Sequence, residues 1–271
     1  MALFWNTLHK PVVTAMSVFV AAFAAQLYAG SADSGANSTE TESSVLIAPS
    51  PYEAAYEARA RGLSTEAYRN LEETGDNVYR LSHGLSLRVL GANLISVTET
   101  SHFYWQDSGA VPVSYAFEQS GLRKREETIQ FDWENASASV TRDDRQSETA
   151  IRAGLLDNLS FTAQMSAQLN ANPDLLETGT TLEYQILDGT EPETHEYRVV
   201  DRENVDTLAG SLDTLLIERV RDPDSDRSTR IWLAVEHAFV LAKLEQIEDG
   251  DRTELLLASL NIGDTRLGVS E

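Results

Sequence analysis

The sequence predicts a mainly β protein: an antiparallel meander forming a curved sheet or half-open β barrel, with one α-helix packed on it. Three observations carry that prediction. Apolar side chains recur at every second position through most of residues 51–262, turn-forming clusters interrupt them at hairpin intervals, and one stretch keeps a helical stripe instead. Alternation of period two suits a strand with one face on a core and the other in water.

The chain opens differently. Residues 1–32 read as a secretory signal peptide. Lys10 and the α-amino group supply positive charge, Pro11 to Ala25 is apolar apart from Thr14 and Ser17, and Ala29, Gly30, Ser31 and Ala32 follow. A signal peptidase requires small side chains one and three positions before the cut. Ala22-Phe23-Ala24 and Gly30-Ser31-Ala32 both satisfy that, so cleavage is expected between Ala24 and Ala32. An uncleaved anchor is the alternative, but Pro11 to Ala29 falls just short of the roughly 20 apolar residues a span needs. Asp33 to Ser50, rich in Ser, Thr, Glu, Gly and Asn, reads as a disordered linker. Residues 51–262 then form a single β-rich domain, and residues 263–271 a frayed tail.

Within the domain, Tyr52, Ala54, Tyr56 and Ala58 alternate with polar neighbours, and Glu66 to Glu73 forms a strand beside them. Tyr79, Leu81, His83, Leu85, Leu87 and Val89 share one face of the next. Val97, Phe103 and Trp105 mark a further strand, then Val113, Tyr115 and Phe117, then Ile129, Phe131 and Trp133. Arg61-Gly62, Gly75-Asp76-Asn77, Gly91-Ala92-Asn93, Asp107-Ser108-Gly109, Ser120-Gly121 and Asp143-Asp144 supply the turns; Gly, Asn and Asp tolerate the positive φ of tight hairpins. Leu155 to Asn170 breaks the rhythm. Leu155, Leu159, Thr162, Ala163, Ser166 and Leu169 form a helical stripe, Asp157 or Ser160 can cap its start, and Pro173 lies beyond its end. A second β block runs from Leu182 to about Leu260, with turns at Asp188-Gly189, Asp222-Pro223 and Asp249-Gly250-Asp251.

Composition narrows the function. There is no cysteine, which removes disulfides, cysteine-based metal or redox sites and a lipid-modified cysteine. After cleavage roughly 240 residues remain, enough for one large core. The formal net charge of −22 argues against nucleic acid and against an electrostatic membrane contact.

Candidate sites are sparse. His83, His102, His195 and His237 are scattered, and no metal site or cofactor is expected from them. Asp222, Asp224 and Asp226 alternate like the start of a calcium loop, but Arg227 and Leu233 stand where that loop needs Gly and Glu, so a solvated hairpin tip is expected. No nucleophile-elbow or phosphate-loop motif occurs, no catalytic residue is assigned, and with 43 Asp and Glu a carboxylate pair carries little information. Asn37, Asn135 and Asn158 head sequons. The most suggestive feature is the aromatic set Phe103, Trp105, Tyr115, Phe117, Phe131 and Trp133 on three successive strands. It reads either as ordinary core or as the wall of an apolar ligand cavity.

Four segments in order carry a resemblance: Tyr52-Glu53-Ala54-Ala55-Tyr56, Phe131-Asp132-Trp133, Leu156-Asp157-Asn158-Leu159-Ser160, and Ile231-Trp232-Leu233-Ala234. Over about Pro51 to Leu260 the chain resembles a domain-of-unknown-function family of Gram-negative envelope proteins, similar in shape to periplasmic lipoprotein carriers. Those are incomplete β barrels whose helices plug an apolar cavity for acyl chains. The resemblance implies a periplasmic, non-enzymatic protein that binds a lipid or other hydrophobic molecule, and it carries over no catalytic residue. The chain departs from the carriers in having one main helix. A structural or protein-interaction module of the envelope is the alternative, and a hydrolase of cell-wall or sugar substrates a second.

Overall fold

The computed structural model describes residues 45–89 and 92–268. The expected signal peptide and the linker up to Ser44 lie outside the described residues, as does part of the Gly91-Ala92-Asn93 turn.

The alternating runs become β1 (Tyr52–Ala60), β2 (Leu63–Gly75), β3 (Val78–Val89), β4 (Ala92–Gln106), β5 (Gly109–Gly121), β6 (Arg125–Asp132), β7 (Ser137–Arg142) and β8 (Arg145–Ala150). Next come β9 (Leu155–Leu156), helix α1 (Ser160–Ala171) and a 3-10 turn at Pro173–Leu176. The second block is β10 (Thr181–Asp188), β11 (Glu191–Thr207), β12 (Gly210–Arg219), β13 (Ser228–Ala234), β14 (Val240–Glu248), β15 (Asp251–Ile262) and β16 (Thr265–Leu267). All belong to one sheet. Its order runs from β8 down to β1, then from β15 back to β9, with β16 added beside β15. Every pairing is antiparallel except β9 with β10.

The crossing from β8 to β9 decides the shape. These strands are the two edges of the sheet, yet only residues 151–154 separate them. That backbone reaches about 18 Å at most, whereas the edges of a flat sheet this wide would stand ~65 Å apart. The sheet therefore curls until its edges approach. Ile151 N–H donates to the Ala136 carbonyl (2.9 Å), and β9 lies against β5. The edges do not pair with each other, so the barrel stays half-open, as the sequence predicted.

The concave face carries the core. Ala54, Tyr56 and Ala58 of β1, Leu81 and Leu85 of β3, and Val240, Ala242 and Leu244 of β14 are buried there. Helix α1 fills the interior and buries Phe161, Ala163, Gln164, Met165, Ala167 and Leu169. Burial around so much of its circumference fits a helix enclosed by a curled sheet rather than one lying on a surface. It starts later than its stripe suggests, because Leu155 and Leu156 pair with Gln185 and Ile186 as β9. The Asp157 carboxylate then accepts the N–H groups of Leu159 and Ser160, both at 2.8 Å, and this satisfies amides that the first turn leaves without partners. Gln164 fixes the helix to the β4–β5 turn: its Oε1 accepts from Ala110 N–H (2.8 Å) and its Nε2 donates to the Ser108 carbonyl (3.2 Å). Gly109 between them has φ +112°, and a Cβ there would lie 1.8 Å from Gln164 Oε1.

Two segments differ from their sequence reading. Within the expected linker, residues 45–50 lie against the domain: Leu46 is buried, its N–H donates to the Asp107 carbonyl (2.9 Å), and its own carbonyl accepts from Trp105 Nε1 (3.0 Å). Within the expected frayed tail, Thr265–Leu267 pairs with Leu260–Ile262. Leu46 and Leu267 both pack on the hydrophobic core, which gives short polar segments an anchor.

Candidate functional site

The interior is not filled throughout. A cavity of about 160 Å³ lies between the sheet and α1. Phe161, Ala163 and Met165 of α1 face it, together with Leu71, Leu81, Ile231, Leu233, Phe239, Leu244 and Leu255 from the surrounding strands and turns. Ile47, Ala48, Pro49 and Ser50 cross one side of it, and Ile47 is 74% exposed. The walls are largely apolar, with Ser50, Ser166 and Asn170 at separate points and a polar patch where Tyr52, Arg69, His83, Glu99 and Thr162 meet.

Strand register assembles that polar wall. Arg69 of β2 pairs with His83 of β3, and His83 pairs with Glu99 of β4. The row continues across the concave face through Phe117, Glu127 and Arg142. Arg69 is 7% exposed and Glu99 2%. Arg69 Nε donates to Tyr52 Oη (3.0 Å), and its Nη2 donates to Thr162 Oγ1. Among the described residues no carboxylate pairs with it. Glu99 Oε2 accepts from Tyr115 Oη at 3.2 Å. Burial pushes the Glu99 carboxyl up to about 8; Tyr115 and Arg69 oppose the rise, while Asp157 and Asp188 add to it. Burial, with the Arg69 charge beside it, pushes His83 down to about 3. Near neutral pH, Glu99 therefore keeps its proton and His83 is the neutral imidazole. The cavity wall holds one cation flanked by uncharged hydrogen-bonding groups.

Asp157 sits behind this wall. Besides capping α1 it accepts from Ser101 Oγ (2.6 Å). Burial raises its carboxyl, and the hydrogen bonds from Ser101, Ser160 and Leu159 pull the other way. All its contacts are structural.

A second polar cluster lies on the same concave face. Asp188, Glu193 and His195 bring one donor atom each to within 4.8 Å of one another. His195 is 1% exposed, its ring nitrogens lack hydrogen-bond partners, and Nε2 lies 3.6 Å from Glu193 Oε2. One imidazole and two carboxylates are a fitting donor set for a divalent ion. Two positive charges oppose one: burial first, then Arg219 and Arg221, push His195 down to about 3. Asp188 is also engaged, accepting from Asn158 Nδ2 at 3.5 Å. Sequence reading left His195 isolated because Asp188 reaches it only through the β10–β11 hairpin.

The six aromatic residues singled out in the sequence lie elsewhere. Phe103, Trp105, Tyr115 and Phe117 are buried, and Phe103 stacks on Tyr79 with ring centroids 5.8 Å apart. Phe131 and Trp133 stack on each other at 5.8 Å, half-buried, with Trp133 Nε1 donating to the Pro112 carbonyl (2.6 Å). None of the six belongs to the cavity wall. Asp222 closes an exposed turn by accepting from Asp224 N–H (2.9 Å). Asn158 is 2% exposed, so its sequon is inaccessible in the folded chain.

Among the described residues no helix is long and apolar enough to cross a membrane. The fold is similar to a solved structure, a β-barrel-like protein of domain of unknown function DUF1849 from Brucella abortus. The TM-score is 0.52 at 11% identity, covering 81% of this chain and 100% of that one. A putative lipoprotein from Parabacteroides distasonis aligns with a TM-score of 0.30 at 13% identity, over 80% of this chain and 99% of that one. No curated protein matches the chain. The DUF3108 family, described as a protein of unknown function, matches residues 53–256, and the chain belongs to that family.

Proposed function

We propose that this protein is a non-enzymatic binder of a hydrophobic ligand, acting in the periplasm after export and holding its ligand in the cavity between the sheet and α1. The observation that carries the reading is the cavity itself: about 160 Å³ of largely apolar-walled space between the curled sheet and α1. An apolar cavity of ~150 Å³ accommodates a benzene-sized molecule, whereas drug-sized ligands occupy about 300–1,000 Å³. The space suits one ring or a short alkyl segment. A two-tailed lipid would need Ile47–Ser50 to move aside. Export rests on the sequence of residues 1–32.

The buried carboxylates support binding over hydrolysis. Asp157 is committed to the helix start and Ser101, and Glu99 lies against Tyr115, so neither is free to act on a water and a substrate together. Edge pairing with an envelope partner is disfavoured at β8, where Arg145, Gln146 and Glu148 break up the exposed strand.

Native mass spectrometry of the mature protein from the envelope fraction, followed by organic extraction, tests the reading. A co-purifying apolar molecule is expected. Empty protein whose mass and thermal stability ignore added alkanols and fatty acids would overturn it.

A further inference from the structure

Arg69 stands out among the cavity groups. It is 7% exposed and faces a mostly apolar space, and it donates hydrogen bonds to the neutral hydroxyls of Tyr52 and Thr162. A buried cation without a counter-charge is costly, and buried charges are ordinarily paired. The acid nearest in the cross-strand row, Glu99, does not supply that counter-charge. Its carboxyl is held protonated at neutral pH by burial and by the Asp157 and Asp188 charges behind it. In that form it can donate a hydrogen bond. His83 between them is neutral, and its Nδ1 is buried without a partner. The guanidinium has donors left after its two hydroxyl contacts.

We propose that the ligand is a small anionic amphiphile, a monocarboxylate whose head lies at Arg69, beside His83 and Glu99, and whose short tail fills the apolar space under α1. This rests on the cavity being the binding site and adds the chemistry of the head. The volume sets the tail at about the size of a six-carbon ring or chain. Charge complementarity sets the head. A cationic head would meet Arg69 at contact distance, and a neutral one would leave its charge unanswered. The strongly acidic exterior gives an anion no help, so the preference must come from the buried arginine.

Isothermal titration of the mature protein with octanoate, 1-octanol and octylamine separates the two readings. Octanoate is expected to bind roughly tenfold or more tightly than octanol, as charge-assisted hydrogen bonds in a desolvated site allow, with octylamine weakest. Arg69→Met should erase the difference between acid and alcohol while octanol binding persists, and circular dichroism with thermal unfolding confirms that the variant folds. Equal affinity for acid and alcohol, or an acid preference that survives in Arg69→Met, would overturn the head assignment and leave the cavity reading standing. If none of the three probes binds, both readings fall. Should Arg69→Met not fold, Arg69→Lys is measured instead. It retains the charge but not the fork of donors, and an unchanged octanol affinity with weakened octanoate supports the proposal.

Discussion

Glu99→Gln removes a titrating proton from the cavity wall while keeping the side chain's shape and its approach to Tyr115. In the unfolded chain this carboxyl loses its proton near 4.5; in the fold it does so at about 8, chiefly through burial. Between those values the unfolded chain has released the proton and the folded chain retains it. Glu99 therefore makes stability fall as pH rises, by about 1.4 kcal/mol per pH unit. The contribution is fully present below pH 4.5, has fallen by ~3 kcal/mol at pH 7 and by ~5 kcal/mol above pH 8. The charged and titratable groups facing Glu99 are Arg69, Tyr115, Asp157 and Asp188, with His83 beside it in the row. All are common to both proteins, so their contributions cancel in the comparison. Urea unfolding followed by tryptophan fluorescence at pH 5, 6 and 7 measures the difference. Glu99→Gln should gain on the wild type by about 3 kcal/mol between pH 5 and pH 7. Two stability curves running parallel over that range would mean that Glu99 ionises normally in the fold. That result would refute both the protonated wall and the argument that Arg69 lacks a counter-charge.

Other expectations concern the helix that closes the cavity. Phe161 is fully buried and stacks on Tyr197 at 5.6 Å, so Phe161→Ala should cost about 3–5 kcal/mol in urea unfolding. Asp157→Ala removes the acceptor for two helix amides and leaves the Ser101 hydroxyl buried without its partner; a loss of roughly 2–4 kcal/mol is expected by the same assay. Gly109→Ala should lower the melting temperature and detach Gln164, since its Cβ would overlap Gln164 Oε1 at a φ of +112°. Stoichiometric Zn²⁺ should leave the melting temperature unchanged, because Arg219 and Arg221 occupy the surroundings of Asp188, Glu193 and His195; a rise of several degrees would show that the cluster holds a cation.

The hairpin rhythm was legible because period-two alternation and positive-φ turn residues are local signals. Arg61, Asn77, Asp143 and Asp249 all take positive φ at the turns where they were expected. Strands β7 and β8 carry little of this signal because Ser-Ala-Ser-Val-Thr-Arg and Arg-Gln-Ser-Glu-Thr-Ala are mostly polar, and only Ala138 and Val140 among them are buried. Asp157 marks the start of α1 correctly, but the apolar stripe runs back past it because a pair such as Leu155-Leu156 suits a helix or a short strand equally; the β10 partner decides between them.

The polar wall was harder to see. Its members lie on four strands and the helix, and only register brings Arg69, His83 and Glu99 into one row. A signal did exist. Arg69 shares the phase of Ala67 and Leu71, and Glu99 the phase of Val97 and Phe103, so each is a charge on a face that should be buried. The aromatic residues carry a stronger sequence signal, but their size and hydrophobicity mark a lined pocket and a filled core alike. The cavity's own aromatics, Tyr52, Phe161 and Phe239, come from the first strand, the helix and a late turn.

The most direct test of the cavity as the binding site is thermal unfolding with saturating 1-octanol, comparing the wild type with Ala163→Phe, which places a ring where Ala163 of α1 lines the space. The account predicts that octanol raises the wild-type melting temperature by several degrees and leaves that of the filled variant unmoved. An equal rise in both proteins would place binding elsewhere, and no rise in either would contradict a ligand-binding cavity.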